Sequence, residues 1–593
     1  VIKSTRVILA AVLLLTVEAI DGGARIEAAT SETLAVRLQK KIETERRRDR
    51  FTCREELICG VTDLPLFYAR RGFAPAWMPT AAVDNAQALV AALQAARRDG
   101  LQVEDYHLST IELLLEEVKL DRLFGLASDP GLVVDLDLLL TDAFLLVGSH
   151  LLAGRVNPET IHSEWVAFNP EADLARTLET ALANGTIEAS LNQLRPPHPG
   201  YAALRKALER YRGIEADGGW PLLPRVGVPA KTTASEHNAL LRQRLSISGD
   251  LSPTEGYAEL DHFDAHLQKA LRRFQLRQGL PQTGRLDEQT LEELNVPAAA
   301  RIRQIELNLE RWRWIPHHLG RRYLLVNAAD YRLAVVEDGQ TRWDMRVVVG
   351  KHYRKTPVFS ADLQYLELNP YWNVPQTIAV NDILPKVKKD PAYLVRKEFK
   401  VFENWRPGAS EIDPLTIDWS RITKNNFRFK LRREPGPLND LGRIKFIMPN
   451  RFAVYLHDTP NRKLFAKNFR HYSSGCIRLE KPIELAEYLL REDPGWTRRD
   501  IRQAIDSARS RVVYLKEPVP VHLLYWTAWV DEDGVVNFRK DIYRRDPPLD
   551  LALRQRPPRV ESEALTRMGG TADAANRLPA KRPGVEAHVP AGR

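Results

Sequence analysis

Three short runs, Tyr323–Asn327 (YLLVN), Leu333–Glu337 (LAVVE) and Met345–Gly350 (MRVVVG), follow one another with Asp, Gly and Asn in the gaps. Apolar, β-branched runs of this length, broken by turn residues, specify strands joined by tight turns. They begin only after a long N-terminal part with helical spacing, so the chain must hold two kinds of architecture. At 593 residues it also exceeds what one core normally organises, and about three or four domains are expected. The fold class is multidomain α+β.

From Phe51 to Trp220 the pattern is helical, with Ala88, Ala91, Ala92 and Leu93 in register before Gly100. The apolar stretch Leu136–Leu152 is interrupted by Asp137, Asp142, Ser149 and His150, which argues for a buried helix rather than a membrane span. No chemical motif stands out here. The aromatic and basic segment Phe67–Trp77 reads as core packing around a turn. Between Ala239 and Pro297 the texture becomes that of a compact three-helix unit. Leu267, Ala270, Leu271 and Phe274 share one stripe, Gly279 and Gly284 bracket a turn, and Asp287 opens another helix. A helix over Ala298–Trp314 leads into the sheet. An insertion of charge runs and turns occupies about 384–442, and strand character resumes at Ile444–Met448. A hairpin is expected around Asp533–Gly534. Beyond Tyr543 there is no aromatic residue, and Pro, Arg and Ala dominate, which predicts a disordered tail.

Lys3 and Arg6 precede the eleven-residue apolar run Val7–Val17, a pattern suited to an export signal and shorter than the roughly 20 residues of a spanning helix. An uncleaved N-terminal anchor is the alternative. Export leads to an oxidising compartment, where Cys53 and Cys59 could close a small loop, although spacing alone does not fix their pairing. The net charge of +9 is spread along the chain. With no zinc-finger spacing, aromatic–basic RNA signature or basic zipper helix, it does not point to nucleic acid.

The third cysteine, Cys476, lies in His471-Tyr472-Ser473-Ser474-Gly475-Cys476-Ile477-Arg478, nineteen residues after His457. After a turn at Pro449–Asn450, Phe452, Val454 and Leu456 alternate with Ala453, Tyr455 and His457, so a strand carries His457 beside Tyr455 on one face. Small residues at Ser473–Gly475 and the helix start at Pro482 put Cys476 in a loop before a helix, where backbone N–H groups could face a carbonyl oxygen. A thiol of ordinary pKa needs a base to become a nucleophile. His457 is the first candidate and His471 the competitor. An inert core cysteine, a Cys/His metal site and a merely hydrogen-bonded histidine are the alternatives. A structural zinc site wants four ligands with paired spacings, and no second cysteine is near in sequence, so no metal is expected.

The run Tyr455-Leu456-His457-Asp458-Thr459-Pro460, followed by Ser473-Ser474-Gly475-Cys476-Ile477-Arg478-Leu479, resembles the signature of the bacterial L,D-transpeptidases. Thr356-Pro357 and Asn369-Pro370-Tyr371-Trp372-Asn373-Val374-Pro375 also resemble that family, in particular its large periplasmic branch. Phe274-Gln275, Gly279-Leu280, Gly284 and Thr290-Leu291 resemble a peptidoglycan-binding module. One departure is Ser474, where the family usually has a histidine. The resemblance implies a signal or anchor over 1–30, a helical scaffold over 51–235 and a peptidoglycan-binding module over 236–297. A linker helix over 298–318 then leads to a mostly-β catalytic domain over 319–520 with a capping insertion at 384–442. A C-terminal hairpin over 521–546 and a tail over 547–593 complete it. It further implies Cys476 as nucleophile, His457 as general acid and base, and an oxyanion hole at the Gly475 and Cys476 amides. Tyr455, Trp372, Ser474 and Arg478 become substrate contacts. The implied activity is formation of 3→3 cross-links between peptidoglycan stems, through a thioester and release of D-alanine, without cofactor. Peptidoglycan stems, and beyond them cell-wall synthesis proteins, are the expected partners, with membrane contact only through the N-terminal anchor. Hydrolysis of the same bond, transfer to a lipoprotein, and a non-catalytic wall-binding scaffold are the competing outcomes.

Overall fold

The structure, a computed structural model, describes residues 33–46, 51–77, 82–168, 170–224, 233–252 and 262–555. The expected signal or anchor at 1–30 lies outside them. Among the described residues no helix is long and apolar enough to cross a membrane.

The N-terminal part packs helices around Pro130–Ala153, which is apolar on nearly every side and buried from Leu132 through Gly148. Asp129 caps it by accepting the Leu132 N–H, and Pro130 begins its first turn. The buried polar residues that break the apolar run are paired, His150 with the Tyr106 hydroxyl at 3.0 Å. Asp137 accepts the Ala76 and Trp77 amides and the Tyr68 hydroxyl. Thr141 takes the Trp77 indole N–H at 2.9 Å, and Asp142 takes the Cys59 and Gly60 amides. Phe67, Tyr68 and Trp77 are core residues, as read. Cys53 and Cys59, considered for closing a small loop, are both free thiols in the structure. Cys53 Sγ lies 3.7 Å from the Asp135 carbonyl, whereas the Cys59 amide is held by Asp142.

Helices Ala234–Ser248, Ala265–Arg277 and Glu288–Leu294 form the three-helix unit. Its expected stripe, Leu267, Ala270, Leu271 and Phe274, is fully buried. Gln275 ties the Gly279–Gly284 turn by donating to Thr283, Arg285 and Thr290 and accepting the Gly284 amide.

Helix Ala298–Trp312 then leads to a nine-stranded sheet. Its strands are β1 (Arg322–Asn327), β2 (Arg332–Glu337), β3 (Gln340–Gly350), β4 (Phe359–Leu368), β5 (Ile444–Ile447), β6 (Leu456–His457), β7 (His471–Ser473), β8 (Ile477–Leu479) and β9 (Arg511–Leu524). The order is β7-β3-β8-β6-β5-β4-β9-β1-β2, and β3 also pairs with β2. The long β3 therefore closes the sheet on itself, its first half against β2 and its last residues against β7 and β8. Leu324, Val335, Val347, Leu366, Phe446, Leu456 and Ile477 fill the enclosed core.

Two expectations change here. The insertion starts earlier than 384 and has its own sheet, in which Trp372–Asn373 pairs with Lys430–Arg433 and the latter with Phe399–Phe402. The tail expected from residue 547 begins instead as helix Asp546–Arg554. Leu549 and Leu553 enter the core of the sheet, a burial worth roughly 1.5–3 kcal/mol for each. Residues 556–593 lie outside the described part. The hairpin read at Asp533–Gly534 is present, between Ala528–Val530 and Val536–Phe538.

Candidate active site

The site grows from the register of two short strands. β6 and β8 run parallel, with Leu456 opposite Ile477 and His457 opposite Arg478. Because side chains alternate, Leu456 and Ile477 enter the core while Tyr455, His457, Cys476 and Arg478 project together from the other face. β5 adds Lys445 opposite His457. The insertion covers this face and leaves a cleft of about 1010 Å³, lined among others by Trp372, Tyr455, His457, Ser474, Cys476 and Arg478. All the expected contact residues therefore meet in one place. His471 does not: it lies on β7, and its Nδ1 is 2.9 Å from the Tyr331 hydroxyl.

The strand expected from Phe452 onward is reduced to Leu456–His457. Asn450 is the cause. Its side-chain oxygen accepts the Phe452 and Val454 amides, and its NH2 donates to the Met448 and Val454 carbonyls. That closed turn holds Ala453 at φ 51°. Cys476 likewise precedes a strand rather than a helix, because the Ile477 amide is captured by the Tyr455 carbonyl at 3.1 Å and Arg478 pairs with Val348.

The loop before Cys476 is held from inside. Ser473 Oγ donates to the Cys476 carbonyl at 2.5 Å, and the Gly475 amide donates back to Ser473 Oγ at 3.2 Å. Gly475 sits at φ 119°, a conformation open to glycine. Its amide, one of the two expected oxyanion donors, is therefore already engaged. The Gly475 carbonyl accepts from Thr356 Oγ1 at 2.8 Å, and that oxygen takes the Gly350 amide at 2.9 Å. Tyr543 donates its hydroxyl to the Gly350 carbonyl at 2.7 Å, and Arg545 donates to the Thr356 carbonyl at 3.1 Å. A C-terminal segment thus braces the loop from beneath. Ser474 accepts a hydrogen bond from Arg354 at 2.9 Å, and Arg354 pairs with Asp382 of the insertion.

His457 Nδ1 lies 2.5 Å from the Asp458 carbonyl. A carbonyl only accepts, so Nδ1 carries the proton and Nε2 keeps its lone pair. Burial, then the charge of Arg478, lower the imidazole to about 3, against hydrogen bonds to the Asp458 and Leu441 carbonyls. Asp458 is itself fixed by the Arg443 amide at 2.9 Å, and its carboxylate fits only because residue 442 is glycine: a Cβ there would lie 2.3 Å from Oδ2. Burial raises the Cys476 thiol, while hydrogen bonds from Tyr455 and the charges of Lys445 and Arg478 pull it down. At neutral pH the pair rests as neutral thiol and neutral imidazole, with two cations placed to stabilise a thiolate when it forms.

Lys351, Arg354, Lys386, Lys397, Arg433 and Arg478 line the cleft against Asp382 and Asp440, a balance suited to an anionic ligand. Arg478 Nε is buried without a hydrogen-bond partner. Trp372 forms a wall, packed on Phe399 at 6.1 Å. Sequence reading missed Arg354, Asp382, Tyr543 and Arg545, since nothing local marks a partner drawn from so far along the chain. Among the described residues no group of three His, Cys, Asp or Glu could hold a metal ion.

Residues 321–513 match the family described as the L,D-transpeptidase catalytic domain. Residues 62–208 match one described as "Scaffold domain" and residues 239–294 one described as "Putative peptidoglycan binding domain". A Haemophilus influenzae protein named "Putative L,D-transpeptidase" is 38% identical over 250 residues, covering 42% of this chain and 49% of that protein. The chain thus spans about half the length of this curated relative. The resemblances read around Cys476, in the three-helix unit and in the helical scaffold each fall within a matching region.

Proposed function

We propose that this chain, which carries an L,D-transpeptidase catalytic domain, joins peptidoglycan stems through a thioester on Cys476. The observation that carries the reading is the convergence of Cys476, His457 and Arg478 on one sheet face, all three lining the same cleft. Cys476 sulfur attacks the amide carbon between the L-centre of a diamino acid and D-alanine, as His457 Nε2 takes the thiol proton. The Cys476 amide is the donor to the oxyanion, since the Gly475 amide is engaged. The C–N bond breaks, and D-alanine leaves with the proton from His457. The amine of a second stem then attacks the thioester, loses its proton to Nε2, and expels the thiolate, which is reprotonated. The product is a 3→3 cross-link. Arg478 receives a substrate carboxylate, Trp372 and Tyr455 wall the peptide, and Ser474 holds the loop to the insertion through Arg354. Such a substrate places the working enzyme outside the cytoplasmic membrane, in agreement with the export pattern of residues 1–30.

Intact-mass analysis with a thiol-acylating β-lactam of the carbapenem type tests this. The wild-type chain should gain one adduct and Cys476→Ala none. A donor tetrapeptide incubated with and without acceptor amine then separates transfer from hydrolysis. Hydrolysis product alone would make the protein a carboxypeptidase, and an acceptor specific for protein lysine would make it a lipoprotein transferase. No adduct on wild type would leave a wall-binding scaffold.

A further inference from the structure

A second cavity, about 250 Å³, lies where the three-helix unit meets the sheet. Gln278 and Gly279 belong to one wall, Tyr331 and the segment 465–470 to the other, and Arg539 and Lys540 form the floor. Arg539 sets the width. Its guanidinium donates to Asp330 at 2.7 Å and to the Arg277 carbonyl at 2.9 Å, and a Cβ on Gly279 would lie only 2.6 Å from its Cδ. The two walls are thereby fixed to each other.

This groove adjoins the catalytic cleft across β7. Tyr472 and Ser473 line the cleft, while Phe469 and Arg470 line the groove. The rings of Tyr331, His471 and Tyr472 continue from one to the other, with centroids 6.1 and 6.0 Å apart. Most of the groove's charges are matched: Arg332 by Asp344, Arg346 by Glu480, Arg539 by Asp330 and Glu293 by Arg301. Lys467 and Lys540 form no ion pair among the described residues, nor does Glu292 on the same groove, whereas the charge of Asp330 acts on Arg470. Lys467 lays its ammonium over the Tyr472 ring at 4.8 Å. Arg470, 9% exposed, donates only to the carbonyls of Tyr331, Val347, Lys467 and Asn468. Gln278, 6% exposed, keeps a side-chain oxygen with no hydrogen-bond partner.

We propose that this groove seats the stem peptide of the second strand, the one that brings the attacking amine, with its carboxylates against Lys467, Lys540 and Arg470. The proposal rests on the transpeptidase reading above. While the donor occupies the cleft beneath the insertion, a second chain must deliver its amine to Cys476 from another side, and Tyr472, 37% exposed, lines the cleft next to the groove residues Phe469 and Arg470. Three residues of extended peptide span about 10 Å, the same run as β7 with Arg470 before it. A glycan without charge would have no use for two unpaired lysines beside Arg470, whereas a stem peptide carries carboxylates.

The test uses the full chain with Lys467→Glu and Lys540→Glu together, leaving the buried Arg470 in place. Acylation by a carbapenem should proceed at the wild-type rate. The KM for an acceptor tripeptide stem should rise about tenfold or more, with hydrolysis taking a larger share of product. In a Cys476→Ala background, calorimetric binding of the same tripeptide should weaken about tenfold on charge reversal, and an amidated tripeptide should bind both proteins alike. Unchanged acceptor KM and unchanged tripeptide binding would overturn the groove assignment. Failure of wild type to acylate would instead remove the transpeptidase reading, and the binding measurement would still decide whether the groove takes a stem.

Discussion

His107 in the helical region and His457 in the sheet are equally buried, each 4% exposed, yet they are driven in opposite directions. His107 Nε2 lies 2.8 Å from Asp142 and Nδ1 3.3 Å from Glu56. Burial opposes its charge, but the hydrogen bonds to those carboxylates outweigh burial and hold it up at about 9. His457 has a carbonyl for a partner and cations for neighbours, so burial and Arg478 lower it to about 3. Burial alone therefore says nothing about a histidine's role. The partner decides: two carboxylates make a permanent cation that joins helix Pro130–Ala153 to the hairpin at Glu56, and a carbonyl with nearby cations makes a neutral base.

Exchanging the two histidines for glutamine gives the largest contrast. His457→Gln should slow Cys476 acylation about 10²–10⁴-fold while leaving the denaturation midpoint nearly unchanged. His107→Gln should do the reverse. Removing one partner of a buried ion pair costs about 3–5 kcal/mol, because the Asp142 carboxylate is left with only the Cys59 and Gly60 amides. The acylation rate per folded molecule should stay within about twofold of wild type. Loss of acylation in His107→Gln at full stability would erase the distinction between the two regions.

Stability against pH sharpens the same contrast. The folded-state value of His107 is raised, so its contribution is complete below the unfolded value of about 6.5 and is lost as pH rises through about 9. For His457 the folded value is depressed, and the sign reverses: the contribution is present above about 6.5 and is lost as pH falls toward about 3. Urea midpoints should decline on the alkaline side in wild type, and this decline should flatten in His107→Gln. Softening of the acid decline should belong to His457→Gln alone. The acylation rate should also show no acid limb near pH 6.5, the ordinary imidazole range. In Arg478→Gln such a limb should move up from the wild-type position, since a cation that holds the imidazole down is gone.

What the sequence reveals of this arrangement follows from the range of each interaction. The shared face of Tyr455 and His457 is legible because a period of two survives even where the strand shrinks to Leu456–His457. The stripe Leu267–Phe274 is legible because a helix repeats it locally. The insertion's sheet is not, since a strand such as Lys430–Arg433 (KLRR) is short and charged and takes its order from partners found far along the chain. The last helix is hidden for another reason. Loss of aromatic residues after Tyr543 suggests a tail, whereas Leu549 and Leu553, one turn apart, suffice to dock it. The opposite fates of His107 and His457 are also unreadable, because Asp142 is 35 residues from one and Arg478 is 21 from the other, and only the fold brings them together.

The smallest expected effect concerns the brace under the catalytic loop, and it asks whether the sheet's histidine works through fixed geometry. Tyr543→Phe removes the hydrogen bond to the Gly350 carbonyl, a loss of about 1 kcal/mol. The ring remains stacked on Tyr525 at 5.3 Å, so the fold should persist. Thr356→Val removes the hydroxyl that joins the Gly350 amide to the Gly475 carbonyl. With those groups unpaired, the Cys476 amide should drift from the oxyanion position, and acylation should fall about three- to tenfold, a range set by about 1 kcal/mol. Thr356→Ser restores the hydroxyl and should restore the rate. A rate for Thr356→Val equal to that of Thr356→Ser would mean that the loop keeps its shape through Ser473 alone. The sheet's site would then be as local as the His107 pair in the scaffold.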